Sequence, residues 1–207
     1  IFNVSKITKS EEKSYPDKPF ITSSLQQCSQ NSFGFPVKKT MSIAQKLYEN
    51  GKITYMRTDS EFISEDFCNL LNRHINEKFG TEYFNKPRVK KVKGAQEAHE
   101  AIRPTDINTI LNDNYTADDK KLYNLILKRT IQSHMKPAIY TVNTVQLTNS
   151  NTNDIGFFTS KQKEIKFKGY LIYNDNSDET KIIPFKNKYQ LNECVCTNKS
   201  TNPPQPY

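Results

Sequence analysis

The stretch Thr40-Met41-Ser42-Ile43-Ala44-Gln45-Lys46-Leu47-Tyr48-Glu49-Asn50 runs into Gly51-Lys52-Ile53-Thr54-Tyr55-Met56-Arg57-Thr58-Asp59-Ser60. Two periodicities meet there across one glycine. Met41, Ala44, Leu47 and Tyr48 recur at helical spacing, so residues 40–50 read as an amphipathic helix with Gly51 as its stop. Beyond the glycine the chain reads as a short strand entering a polar turn. At period two, Tyr55, Arg57 and Asp59 share one face of that strand.

Working outward, the same helical language continues. Ser64 stands where it could cap a helix carrying Phe67, Leu70, Leu71, Ile75 and Phe79 on one stripe, with Gly80 as its end. Thr116 with Asp119 resembles a capping box ahead of Leu122, Leu125 and Ile126. Residues 1–20 are polar and punctuated by Pro16 and Pro19, a short strand and a linker. After Pro137 the composition turns to Thr, Val, Tyr and Phe, broken by Asn/Asp/Ser clusters at 149–154 and 174–178, as strands and turns are. The expectation is an α+β protein in three sections: 1–20 β-like, 21–139 helical, and 140–207 β-like. There is no internal repeat, and Asn-rich patches are the low-complexity feature.

Composition bounds the chemistry. The chain has 207 residues, enough for one large domain or two small ones. Hydrophobic residues make up 35%, against ~45–50% in an average domain, so the core is thin. Mean hydropathy is −0.77, and no apolar run approaches the ~20 residues of a membrane span, which argues against a membrane protein. The net charge of +8 favours a polyanionic partner, nucleic acid first. Lys outnumbers Arg 25 to 5 and Asn reaches 21, so codon bias toward AT-rich triplets accounts for much of that charge. By section the net charge is +1, +5 and +2, which places the excess in the helical middle. Lys86, Arg88, Lys90, Lys91 and Lys93 form an acid-free run, either a solvated loop or a phosphate-contacting one. Cys28, Cys68, Cys194 and Cys196 form no CxxC pair, which predicts a reducing compartment and no structural zinc.

Two constellations could carry chemistry. In the first, a phenol, a guanidinium and a carboxylate line up at Tyr55, Arg57 and Asp59. A tyrosine oxygen attacks phosphorus once its proton, normally held to a pKa of ~10, is removed. A neighbouring arginine can hold a phosphodiester and neutralise charge in the transition state. Asp59 could fix Arg57 in place. The second is Gln96-Glu97-Ala98-His99-Glu100-Ala101-Ile102-Arg103-Pro104-Thr105. As a short helix ended by Pro104, it would set Gln96, His99, Glu100 and Arg103 on one face, with Ala95, Ala98 and Ile102 toward the core. His99 and Arg103 would then make a phosphate grip oriented by Glu100. His99 with Glu100 lacks the HExxH spacing of a zinc protease. Spacing alone leaves open an ordinary strand residue at Tyr55 and an exposed charged face around His99.

Taken together, four blocks in order resemble the type IA DNA topoisomerases, in the bacterial topoisomerase I branch. They are Ile21-Thr22-Ser23-Ser24-Leu25-Gln26-Gln27, then Lys38-Lys39-Thr40-Met41 with Ala44-Gln45-Lys46-Leu47-Tyr48-Glu49. Ile53-Thr54-Tyr55-Met56-Arg57-Thr58-Asp59-Ser60 and Glu97-Ala98-His99-Glu100-Ala101-Ile102-Arg103-Pro104-Thr105 complete the set. Weaker similarity, such as that at Met135-Lys136-Pro137-Ala138 and Pro203-Pro204, extends to both ends.

The resemblance implies that Tyr55 is the nucleophile that holds a 5′ DNA end as a phosphotyrosine. It implies that Arg57 lies beside the scissile phosphate, His99 close to the tyrosine, and Arg103 in the same block. Asp59, Glu100, Lys90 and Lys91 are carried as supporting or DNA-binding positions. The implied fold is a helical, winged-helix-like catalytic domain inserted into a β-rich arch. The family's Mg²⁺ ligands lie in a TOPRIM domain with Asp-x-Asp, which occurs nowhere in this sequence. The chain opens on Ile1 rather than Met, so it is expected to be a piece of a longer, Mg²⁺-dependent enzyme, binding no metal itself and inactive alone. The expected partner is DNA, preferentially single-stranded, with no membrane, for a monomer that is cytoplasmic and nucleoid-associated if bacterial. An organellar or viral source stays open. No Walker-type Gly-rich Lys loop is present, consistent with an ATP-independent isomerase that relaxes negative supercoils. The alternatives are a non-catalytic DNA-binding or scaffold module, and a tyrosine recombinase, which five arginines make hard to assemble.

Overall fold

In the computed structural model, residues 1–85, 100–149, 156–174 and 184–190 are described, together with 193, 195, 197 and 200. The described elements are strand β1 (Phe2–Ser14), helices α1 (Thr22–Phe33), α2 (Val37–Glu49), α3 (Glu65–Phe79) and α4 (Ala117–Gln132), and strands β2 (Ala138–Asn149), β3 (Phe158–Phe167) and β4 (Lys188–Tyr189). The strands form one sheet in the order β3-β2-β1-β4, with β4 antiparallel to β1 through Phe2–Tyr189 and Asn3–Lys188. The protein is therefore α+β, with helices in the middle and strands toward both ends. The opening strand is longer than the short one expected, reaching Ser14 before the prolines interrupt it.

The chain divides into two compact units. The smaller draws on Ile1–Glu11, Thr141–Glu164 and Thr180–Tyr207. The larger draws on Glu12–Tyr140 and Ile165–Glu179 and contains all four described helices. In the larger unit, two apolar clusters build the core. Phe20, Leu25, Ile43, Ala44, Leu47, Ile53, Met56, Ile102, Leu122, Tyr123 and Ile126 join α1, α2 and α4. Phe67, Leu71, Ile75, Ala101, Ile107, Ile131 and Met135 hold α3 against the end of α4.

Local signals behave as their chemistry requires. Asn50 caps α2 and Gly51 follows at φ 63°, the left-handed conformation that glycine adopts without a Cβ penalty. At the start of α4, Thr116 Oγ1 accepts from the Asp119 amide at 3.2 Å, and Asp119 Oδ2 accepts from the Thr116 amide at 2.9 Å. This is the expected reciprocal box. Asp119 also receives Lys46 Nζ from α2 at 2.6 Å. Burial by itself would raise the Asp119 pKa; the Lys46 bond and the two Thr116 bonds outweigh it and hold the carboxyl below its ordinary value.

Three expectations need correction. Ser64 occupies the N-cap position of α3, but its hydroxyl caps nothing; its amide instead donates to Glu100 Oε1 at 2.6 Å. Leu70 and Tyr48, placed on buried stripes by periodicity, are 40% exposed, while Ile43 is buried in place of Tyr48. The described end of the predicted 96–103 helix is not helical. Glu100 to Arg103 run extended because Ile102 bridges Phe20 and Pro104 bridges Ile53, both antiparallel. A proline lacking an N–H fits such a single bridge, where it is spared donating.

Candidate active site

The loop after α2 is anchored at both ends. On the near side, the Thr54 amide donates to the Arg103 carbonyl at 2.9 Å. Its hydroxyl donates to the Ala101 carbonyl at 2.7 Å and accepts from the Arg103 amide at 3.0 Å. On the far side, the loop is tied to the first residue of α1. The Thr22 amide donates to the Thr58 carbonyl at 2.9 Å. Thr22 Oγ1 donates to the Met56 carbonyl at 2.8 Å and accepts from the Thr58 amide at 2.9 Å. A helix N-terminus has amides without intrahelical partners, so the loop carbonyl satisfies one of them.

Between these anchors the side chains alternate. Met56 and Thr58 are buried, whereas Tyr55, Arg57 and Asp59 are exposed. The stretch is a bent loop with a single bridge at Ile53 rather than the strand expected, yet the period-two facing survives from 55 to 59. The phenol and the guanidinium thus both reach solvent from one backbone segment. Tyr55 is 39% exposed, and its ring packs edge-on against Tyr48 with centroids 5.3 Å apart. That contact uses the residue that periodicity had assigned to the core.

Arg57 and Asp59 form no ion pair with each other or with any other charged group among the described residues, so the expected clamp of Arg57 by Asp59 is not made. Two lysines of this unit are ion-paired, Lys46 to Asp119 at 2.6 Å and Lys18 to Glu61 at 2.7 Å. Arg57, Thr58 and Asp59 line a shallow, open groove with Ile21, the N-cap of α1, and Thr22, Ser23 and Gln26 of that helix. An exposed guanidinium beside a groove suits an incoming phosphate, since no carboxylate among the described residues is ion-paired to it.

Arg103 is placed differently from a surface grip. Its side chain is 12% exposed, ion-paired to Glu100, and stacked over the Phe67 ring at 3.9 Å. Nη1 donates to the Pro104 carbonyl at 2.9 Å, and Nε is buried without a partner. Glu100 does orient Arg103, through one carboxylate that also receives the Ser64 amide. The pair thereby fastens the 100–103 segment on which Thr54 rests. His99, Lys90, Lys91, the basic run at 86–93, and Gln96, Glu97, Ala95 and Ala98 lie outside the described residues, as do Cys194 and Cys196. Among the described residues no group of three or more His, Cys, Asp or Glu is placed to hold a metal ion. No helix there is long and apolar enough to cross a membrane.

Thr22 is the site residue that side-chain chemistry did not single out. Its partners are 34 and 36 positions away, and nothing in its local pattern marks it; only its place in the Ile21-to-Gln27 block drew attention.

Known proteins resemble this chain over most or all of its length. The DNA topoisomerase 1 of Rickettsia bellii is 42% identical, covering all of this chain and 28% of that protein. The DNA topoisomerase 1 of Campylobacter jejuni is 38% identical, covering all of the chain and 31% of that protein. Among solved structures, full-length topoisomerase I from Thermotoga maritima superposes with a TM-score of 0.75 at 35% identity, over 91% of this chain and 32% of that one. The chain thus spans about a third or less of the length of these relatives. A family model described as DNA topoisomerase matches residues 1–207, and the chain belongs to that family.

Proposed function

We propose that this chain carries the nucleophile of a type IA DNA topoisomerase, with Tyr55 as the attacking residue and Arg57 as the phosphate-binding one. The observation that supports it best is the pairing of an exposed tyrosine with an exposed arginine, un-ion-paired among the described residues, two positions apart on a loop pinned at both ends. In the reaction, Tyr55 Oη gives up its proton and forms a bond to phosphorus. The bond from phosphorus to the 3′ oxygen breaks, and that oxygen leaves protonated. The 5′ end remains on the tyrosine as a phosphodiester of similar energy, so resealing is the same exchange reversed and needs no ATP. Arg57 neutralises the charge that accumulates on the non-bridging oxygens.

In this reading, residues 21–139 form a winged-helix-like catalytic domain inserted into a β-rich arch made of 1–20 and 140–207, although Glu12–Phe20 and Ile165–Glu179 group with the helical unit. The partner is DNA, preferentially single-stranded, and the setting is the cytoplasm of a bacterial cell. Mg²⁺, a cofactor the family reading implies, wants several oxygen ligands in octahedral geometry. The described residues do not fit it, and no step here runs through a metal. The remaining catalytic groups would come from regions of the relatives that this chain does not cover.

The test is a chimera in which the chain replaces the matching region of the R. bellii enzyme. With a single-stranded oligonucleotide and denaturant trapping, the adduct should map to Tyr55 by mass spectrometry. Tyr55→Phe should abolish it. Arg57→Ala should slow its formation by about 100-fold, since removing one such stabilising group costs ~3 kcal/mol. The 207-residue chain alone should leave DNA uncut, with or without Mg²⁺. An adduct on another tyrosine, or one that survives Tyr55→Phe, overturns the assignment.

A further inference from the structure

We infer that Thr22 is a positioning residue for strand cleavage, holding Arg57 through the backbone on either side of it. The inference rests on the reading of Tyr55 and Arg57 given above. Arg57 makes no side-chain hydrogen bond or ion pair among the described residues, so its direction depends on where its own backbone is fixed. The fixing points are the Met56 carbonyl and the Thr58 amide and carbonyl, and all three bond to Thr22. The hydroxyl serves both flanks at once, donating at 2.8 Å to the residue before Arg57 and accepting at 2.9 Å from the residue after it.

Thr22 is itself well fixed. It is the first residue of α1, and Leu25 one turn on is fully buried in the core. Ser24 Oγ accepts from the Ile21 amide at 3.0 Å, which orders the turn that presents Thr22. Beyond Thr58 the ordering continues, as Thr58 Oγ1 accepts from the Ser60 amide at 3.0 Å and Ser60 Oγ from the Phe62 amide at 3.2 Å. Thr54 plays the corresponding part on the other side of Tyr55, against Ala101 and Arg103. Tyr55 and Arg57 are thus carried on a short span between two threonine hydroxyls that reach different parts of the core. Valine has nearly the shape of threonine but can neither donate nor accept, so it isolates the hydroxyl's contribution.

Two measurements test this. In the chimera, Thr22→Val should slow formation of the Tyr55 adduct by about 10- to 100-fold, the range expected when a catalytic group drifts by ~1 Å. Affinity for the oligonucleotide should stay within about twofold, as phosphate attraction does not need that precision. Thr22→Ser, which keeps both bonds, should cleave within about threefold of the parent. In the 207-residue chain, hydrogen exchange at the Thr58 amide should quicken by about 10-fold or more in Thr22→Val and hold steady in Thr22→Ser, since that amide loses its acceptor only in the valine variant. Parent-level cleavage by Thr22→Val, or an equal loss in Thr22→Ser, would refute the positioning role. Equal exchange at Thr58 in all three proteins would refute its structural basis even if the valine variant failed to assemble in the chimera. Tyr55→Phe runs alongside: an adduct that persists there defeats the nucleophile assignment, and the exchange result then judges Thr22 on its own.

Discussion

His134 sets a pH limit on the stability of the helical unit that can be worked out from its surroundings. The residue is 2% exposed, just past the C-cap of α4. Nδ1 lies 3.2 Å from the Thr130 carbonyl and 3.0 Å from Ser133 Oγ, and Nε2 lies 3.5 Å from the buried Cys68 Sγ. A neutral ring protonated on Nδ1 satisfies these contacts, donating to Thr130 and accepting at Nε2 from the thiol. A second proton would sit on Nε2, facing a sulfur that is a weak acceptor and shut off from water. Burial therefore pushes the pKa down from 6.5 to about 4, and the Thr130 bond offsets only part of that.

The sign follows. The unfolded chain takes up the proton near 6.5 and the folded one only near 4, so the unfolded state holds more protons between those values. Stability is undiminished above pH 6.5, falls as the pH drops through the window, and has lost its full increment below about pH 4. The loss amounts to about 2 kcal/mol by pH 5, approaching ~3 kcal/mol at the acid limit. The assay is urea unfolding of the 207-residue chain at about pH 7.5, 6.5, 5.5 and 5.0, which spans the window, set against His134→Gln, which cannot titrate. The parent should lose about 2 kcal/mol more than the variant between the ends of that series. Parallel curves for the two proteins would refute the argument, because carboxylates and His74 titrate equally in both.

Removing the Glu100 carboxylate should strand Arg103, which is stacked on Phe67 with little solvent access; Glu100→Ala should cost about 3 kcal/mol in a denaturant melt, and Glu100→Gln distinctly less. Gly169 sits at φ 51°, where a Cβ would press on the Pro137 carbonyl and meet the Ala138 nitrogen at 2.6 Å, so Gly169→Ala should lower stability by more than ~2 kcal/mol in the same melt. If the chain contacts three or four phosphates of single-stranded DNA, log K should fall with log salt at a slope of about −2 to −3 in fluorescence titrations, and a flat response would speak against the DNA-binding reading.

What the sequence determined by itself was decided within a turn or two of chain. Gly51 and Gly80 stop α2 and α3 because only glycine relieves the backbone there, and Thr116 with Asp119 starts α4 through bonds three residues apart. The facing of Tyr55, Arg57 and Asp59 was also legible, since buried and exposed side chains alternate there even though the segment is a bent loop and not a strand. The identity of the blocks around Tyr55 pointed to the family, to which the match over residues 1–207 assigns the chain. Other features depended on groups far apart in sequence. Residues 100–104 look like a helix face by spacing, but Phe20 and Ile53 offer them backbone partners, and those bridges prevail over the local preference. Tyr48 and Leu70 satisfy their helices' periodicity yet stay exposed, because burial depends on which neighbour packs against each face. Arg103 turned inward for the same reason: Phe67 and Glu100 together accept a guanidinium that no local pattern could place. Thr22 is the clearest case. A hydroxyl at the start of one helix fixes a loop 34 residues on, and only the folded chain brings the two within hydrogen-bonding distance.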